Sequence, residues 1–145
     1  MSSSIYPPIE DLVPHAPPIR MLDTLDAWES GYARCSMLVR ETTPFVKNGE
    51  LSTLLTIEHM AQAVAACLGY EAYQPGSSVR VGMILASRSF DMDRGALFVG
   101  ETLTIEVRRQ RGNEDLSHFL GEVHVAGERV SSAHMTLYHA ERPPE

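Results

Sequence analysis

A carboxylate and an amide stand one turn apart in the most apolar stretch of the chain. Glu58 and Gln62 lie four positions apart in the segment 54–70, LLTIEHMAQAVAACLGY. Residues at i and i+4 share one side of a helix, so the two side chains are expected to project together. Apolar surroundings raise the pKa of a carboxylic acid by desolvation, which suits general acid–base catalysis near neutral pH. The pair therefore predicts proton transfer by Glu58, oriented by Gln62, unless Glu58 only satisfies a polar neighbour or a subunit interface.

The segment that carries this pair is predicted to be one long helix. Ser52 or Thr53 can cap its start, no proline interrupts it, and Pro75-Gly76 follows its end. Free N–H groups at the helix start carry partial positive charge and are expected to stabilise a developing negative oxygen. The apolar residues cover most of the circumference, which indicates a helix wrapped by the rest of its domain.

Alternating apolar and polar residues predict strands on both sides of the helix. Two strands precede it, at 19–28 and 33–40, and about four follow it, at 79–90, 103–108, 119–125 and 130–138. Residues 41–52 are expected to be irregular, and residues 91–95 are expected to end the strand at 79–90. Short links between neighbours favour an antiparallel sheet. A lone apolar helix can be covered only if that sheet curls around it, so we predict an α+β hotdog architecture whose exposed edges pair in at least a dimer.

Length and composition restrict the class of protein. The 145 residues fit one domain, 1–145, with residues 1–5 expected to be disordered and no signal peptide. The net charge of −7 disfavours nucleic acid as a partner, and the polar residues of the helix argue against a membrane span. Cys35 and Cys67 lack CxxC spacing, which fits buried thiols in the reducing cytoplasm.

The charge is uneven along the chain. Residues 78–112 hold six arginines against four acids, a pattern that fits either an acidic or phosphate-bearing partner or ordinary solvated strand faces. The later histidines lack metal-ligand spacing, so no metal is predicted, and surface or strand-face roles are expected for His118, His124, His134 and His139. No glycine-rich phosphate loop or nucleophile elbow is present.

Three stretches together resemble one known family. They are LVPHAPPIRMLD at 12–23, IEHMAQA at 57–63 and the tail FLGEV…SAHM between 119 and 135. They resemble the 3-hydroxyacyl-[acyl-carrier-protein] dehydratases of bacterial fatty acid synthesis, and more closely the dehydratase-like proteins of aryl-polyene clusters. The resemblance implies a hotdog fold and a cofactor-free hydro-lyase, which converts a 3-hydroxyacyl thioester on acyl carrier protein, or on coenzyme A, to the 2-enoyl thioester. It places Glu58 at the catalytic carboxylate, and the expected substrate contacts are His15, Asn48, Gly49, Met60 and Ala61.

One position departs from that pattern. In the better-known dehydratases a histidine follows a glycine before the helix and acts as base, whereas here Gly49 is followed by Glu50. Three replacements are open: Glu50 as base, Glu58 acting alone, or His59, which lies about 100° round the helix from Glu58. The alternatives to an active homodimer are a silent acyl-binding subunit, a partner in a heterodimer with another dehydratase, and a hotdog thioesterase.

Overall fold

One long helix and eight strands dominate the described part of the chain. The computed structural model describes residues 5–9, 21–72, 80–112 and 116–141. Residues 1–4 of the start that was predicted to be disordered, and His15, lie outside these ranges. The elements follow in the order β1 (Thr24–Glu29), β2 (Tyr32–Leu38), β3 (Glu50–Ser52), a 3-10 turn (Thr53–Leu55), α1 (Thr56–Ala72), β4 (Arg80–Met92), β5 (Ala96–Phe98), β6 (Thr102–Gly112), β7 (Leu116–Val125) and β8 (Glu128–Glu141).

Six of the strands form one antiparallel sheet in the order β1-β2-β6-β7-β8-β4. Buried and half-exposed residues alternate along β7 without a break, as expected for a strand with one face on the core. The inner faces of β2 and β6 contribute further core side chains, namely Ala33, Cys35, Met37, Leu103, Ile105 and Val107. The α+β class predicted from the sequence, with about six strands and one long helix, is confirmed.

The helix begins with a tight turn before the regular α-helical hydrogen bonds start. Ser52 Oγ accepts a hydrogen bond from the Leu54 N–H, so the cap is one of the two residues that the sequence suggested. Nine residues of α1 are buried against the inner face of the sheet. At the other end Trp28 Nε1 donates to the Cys67 carbonyl at 3.0 Å, and the Trp28 ring contacts the Tyr70 ring in a tilted arrangement. Among the described residues, no helix is long and apolar enough to cross a membrane.

A second, two-stranded sheet was not predicted. β3 pairs with β5 where the sequence indicated only an irregular stretch. Each strand has three residues, which is too short to show an alternating pattern. Asn48 and Gly49 both have positive φ, and two hydrogen bonds join Lys47 to Glu50 across them, so they form a two-residue hairpin turn.

The strand after the helix is longer than predicted. β4 continues through Asp91 and Met92, where the sequence indicated a break, because Ser132 and Ser131 of β8 extend the ladder opposite them. Within the described residues β4 is paired on one side only, by β8, and it is therefore an edge of the sheet. Thirteen residues of unpaired edge are a long surface for pairing with another chain.

Gly121 allows the helix to approach the sheet closely, and its replacement tests this packing. A Cβ atom there would lie 2.7 Å from Met60 Sδ and 2.9 Å from Met135 Cε, in the buried core. Both methionines would have to move, so Gly121→Ala is expected to lower the free energy of unfolding by about 1–3 kcal/mol. Gly95→Ala is the matched control, because a Cβ atom at that position would have no neighbour within 4 Å in the part of the chain that the structure describes. Urea unfolding of both variants measures the difference, and equal stabilities would contradict this account of the helix–sheet contact.

Candidate active site

Glu58 lies in the first turn of α1, where the helix dipole stabilises a negative charge. Its side chain is half-buried, while the neighbouring positions His59 and Met60 are enclosed in the core. The carboxylate therefore stands at the border between the core and the surface of this subunit. A group at that border can contact a bound molecule, which a group sealed in the core cannot.

Gln62 connects Glu58 to the chain segment that leads into β1. Its amide Nε2 donates to Glu58 Oε1 at 3.1 Å, and its Oε1 accepts from the Met21 N–H at 2.8 Å. A backbone N–H only donates, so the amide oxygen must face Met21 and the NH₂ group must face the carboxylate. Gln62 is fully buried, and these contacts fix its rotamer. The contact expected between Gln62 and Glu58 from their spacing is thus present. The hydrogen bond from the Met21 N–H also holds the Gln62 amide, and it could not be predicted from side-chain types because its donor is a backbone group.

His59, next to Glu58 in the sequence, is enclosed in the core. The residue has no exposed surface, and neither ring nitrogen has a hydrogen-bond partner among the described residues. Burial lowers the pKa of His59 to about 4, so the imidazole is neutral at neutral pH. The suggestion that His59 turns toward the site as a base gains no support from this enclosed position.

The turn before the helix holds three of the other predicted site residues. Asn48 and Gly49 form the hairpin turn described above, and Gly49 also accepts a hydrogen bond from the Val99 N–H of the segment after β5. The side chains of Asn48 and Glu50 are exposed, whereas Glu58 is half-buried. The local hairpin accounts for Asn48-Gly49 without a ligand, so their contact with substrate and the role of Glu50 as base stay predictions.

The two predicted substrate contacts within the helix have different surroundings. Met60 is fully buried and packs toward Gly121 of β7, so it belongs to the core beneath the helix. Ala61 is half-buried, like Glu58. Among the described residues, no three histidine, cysteine, aspartate or glutamate side chains are grouped in a way that could hold a metal ion.

The start of the helix offers fewer free donors than the sequence indicated. The Thr53 N–H donates to the Gly95 carbonyl at 3.2 Å, and the Leu54 N–H donates to Ser52 Oγ at 3.3 Å. These two groups, which were expected to be free for a negative oxygen, are already used by the fold. The 3-10 turn causes this, because it places the first N–H groups beside the β3–β5 sheet. The positive end of the helix dipole remains as a source of favourable charge.

Comparison with known proteins adds a family to this geometry. The family model described as "ApeP-like: ApeP dehydratase" matches residues 7–145, which is nearly the whole chain. No curated protein sequence matches the chain.

Three solved structures illustrate the likeness in fold. A chain of the dehydratase heterocomplex ApeI:P from Xenorhabdus doucetiae is 22% identical, with a TM-score of 0.85 over 94% of this chain and 93% of that one. The PaaI protein of the phenylacetic acid degradation operon of E. coli is 14% identical, with a TM-score of 0.60 over 79% and 80% of the two chains. A hypothetical thioesterase with coenzyme A from Streptococcus pneumoniae TIGR4 is 11% identical, with a TM-score of 0.61 over 83% and 90%. The predicted hotdog fold is confirmed.

Proposed function

Because the chain belongs to the ApeP-like dehydratase family, we propose that it removes water from a 3-hydroxyacyl thioester presented by acyl carrier protein, with Glu58 as its acid–base group. The contact from Gln62 to Glu58 is the observation that carries this proposal, since it holds a partly accessible carboxylate in one orientation. Proton transfer needs such fixed geometry before it needs any particular pKa. The buried free thiols of Cys35 and Cys67 fit a place in the cytoplasm.

The proposed reaction breaks two bonds of the substrate and forms one double bond. A base takes the proton beside the thioester carbonyl, the hydroxyl on the next carbon leaves with a proton, and the products are the 2-enoyl thioester and water. Glu58 is able to do both steps in turn, accepting the first proton as a carboxylate and donating it to the departing hydroxyl as an acid. The positive end of the α1 dipole favours the negative charge that develops on the thioester oxygen.

A second candidate function follows from the positions of the two other predicted bases. Glu50 faces solvent and His59 is enclosed in the core. In this case an acid–base group would be supplied by another chain, paired along the exposed edge of β4. The chain would be one half of a two-subunit dehydratase, as in the ApeI:P heterocomplex that it resembles in fold. In the extreme case it would be a silent partner of an active subunit.

Reconstitution separates these functions. The purified chain is incubated with a 3-hydroxyacyl thioester on acyl carrier protein, alone and with a second hotdog dehydratase subunit, and the 2-enoyl product is followed by mass spectrometry. Product from the chain alone supports a homodimeric enzyme, and product only from the mixture supports the two-subunit complex. Release of free acid would instead identify a thioesterase. Size-exclusion chromatography of the same samples gives the assembly that corresponds to each activity.

Gln62→Met tests whether the amide positions the carboxylate. Methionine keeps the length of the side chain but loses both hydrogen bonds. We expect kcat to fall about ten- to a hundredfold with little change in KM, because Glu58 is no longer held while the substrate still binds. Stability should also fall by about 1–3 kcal/mol, since the buried Met21 N–H is left without an acceptor.

Glu71→Gln is the matched control for this variant, because Glu71 lies at the far end of α1 and pairs with Arg109. It should retain kcat. A fall in stability with an unchanged kcat for Gln62→Met would show that the amide serves the fold alone.

A further inference from the structure

We infer that the outer face of the sheet carries a binding site for a phosphate-type anion, separate from Glu58. A cavity of about 300 Å³ opens there where β6, β7, β8 and β4 run side by side. Its lining includes two core residues, Phe119 and Met135, and six polar residues: Arg88, Ser89, Gln110, Arg111, His118 and His134. This volume falls at the lower end of the range of small-ligand pockets. We call this group of six the cationic cavity.

Strand register places the cationic cavity on the face that points away from the helix. Arg111 pairs with His118, and Ser89 pairs with His134, so each pair lies on one face of the sheet. Phe119 and Met135 follow His118 and His134 in sequence and are buried in the core. The histidines therefore point outward, because successive side chains alternate between the two faces. Glu58 belongs to the helix on the inner face, so the cavity lies outside the dehydratase site of this subunit.

Two irregularities of the strands supply the remaining members of the cavity. The ladder between β6 and β7 shifts between Arg109 and Arg111, and the ladder between β4 and β8 shifts between Ser87 and Ser89. The extra residues at these β-bulges are Gln110 and Arg88, and both line the cavity. Bulges redirect side chains and are over-represented beside functional sites. Two of them on opposite sides of one cavity indicate a built arrangement.

The charge of the cavity is positive and uncompensated within the described residues. Arg40, Arg94, Arg109 and Arg129 each form an ion pair with a carboxylate. Neither Arg88 nor Arg111 has such a pair among the residues that the structure describes, and no aspartate or glutamate lines the cavity. The net charge of the chain is −7, so these two guanidinium groups form a local positive patch that favours an anion against the charge of the whole chain.

Phosphoryl groups match this set of donors. Guanidinium groups form paired hydrogen bonds to phosphate oxygens, and hydroxyl, amide and imidazole groups can add single bonds. A hydrogen bond of 3.2 Å between His118 Nδ1 and Thr136 Oγ1 holds one imidazole in place. Pairing of a second chain along the edge of β4 would use backbone groups in the plane of the sheet. The cavity opens on the outer face and not in that plane.

Titration of the full chain with inorganic pyrophosphate at low salt, followed by calorimetry, tests the site. The wild-type chain should bind one equivalent saturably. Arg88→Gln and Arg111→Gln should each weaken binding about tenfold, because each loses a charge-assisted contact. Arg108→Gln is the matched control: it removes one positive charge from the same strand, β6, where the guanidinium lies 4.6 Å from the Tyr32 ring centroid. Its affinity should stay within about twofold of wild type.

The result that would overturn the site is an equal loss of affinity in all three variants, since that would be a response to net charge alone. An absence of saturable binding by the wild-type chain would overturn it as well. Titration with adenosine 3′,5′-bisphosphate in parallel distinguishes a nucleotide from a free phosphate as the source of the phosphoryl group. Tighter binding of the nucleotide, or equal binding of both, supports the site provided that Arg88→Gln weakens it. None of these readouts depends on dehydratase activity.

Discussion

Replacing Glu58 with glutamine is expected to lower kcat for dehydration by about 10²- to 10⁴-fold, because an amide cannot carry the proton that the reaction moves. The substitution is close to isosteric, and the new amide oxygen can still accept the hydrogen bond from Gln62 Nε2. Stability should therefore change little, so the loss reports chemistry and not folding. The rate of 2-enoyl thioester formation is the measurement, made in whichever assembly proves active.

Glu50→Gln in the same assay separates the two carboxylates. Glu50 is exposed on the short strand β3, and its loss should change kcat by no more than about twofold if Glu58 acts alone or with a group from another chain. A loss as large as that of Glu58→Gln would identify Glu50 as the base. Full activity of a complex that contains the Glu58→Gln chain would contradict the proposed chemistry and leave this chain as a silent partner.

The second large effect is expected in stability below neutral pH and comes from His59. Its pKa is about 4 in the folded chain because burial penalises the charged ring, while an unfolded histidine titrates near 6.5. Above pH 6.5 the ring is neutral in both states and has no effect on the pH dependence. As the pH falls from 6.5 to 4, only the unfolded state gains the proton, so unfolding becomes easier by about 3 kcal/mol. The wild-type chain should lose that stability over this range.

His59→Leu removes this titration and fills similar space. The variant should lie closer to wild type at pH 7 than at pH 4.5, where it should be the more stable of the two. Other acid-sensitive contacts, such as the pair of Arg94 with Glu101 that lowers the pKa of Glu101, occur in both chains and cancel in the difference. His134→Gln, which removes a histidine from an exposed position, serves as the control. Parallel pH curves for His59→Leu and wild type would contradict the enclosed position of the ring.

The sequence predicted those parts of the fold that rest on periodic patterns. The alternation in β2 and β7 and the long run of helix formers around Glu58 identified the sheet and helix, and the four-residue spacing predicted the contact from Gln62. The three-residue strands β3 and β5 were missed because they are shorter than two periods of alternation. The bulges at Arg88 and Gln110 were missed for a related reason, since one inserted residue reverses the face on which later residues lie.

The candidate site was predicted less completely than the fold. The helix is apolar nearly all round, so its sequence could not show that His59 faces the core while Glu58 stands at its border. The 3-10 turn that uses the N–H groups of Thr53 and Leu54 depends on the Gly95 carbonyl, which lies in a distant part of the chain. A contact between backbone groups so far apart leaves no pattern in the side chains.

The bond from the Met21 N–H to Gln62 is made by an atom that nineteen of the twenty amino acids possess. Substitutions at position 21 by residues of very different character would therefore keep the hydrogen bond to Gln62. A comparison of side-chain types alone would treat such substitutions as loss of the contact. Proline is the exception, because it has no N–H to give. A relative with proline at this position would keep the glutamine and the glutamate four residues apart, but it would lack the backbone hydrogen bond that holds the glutamine.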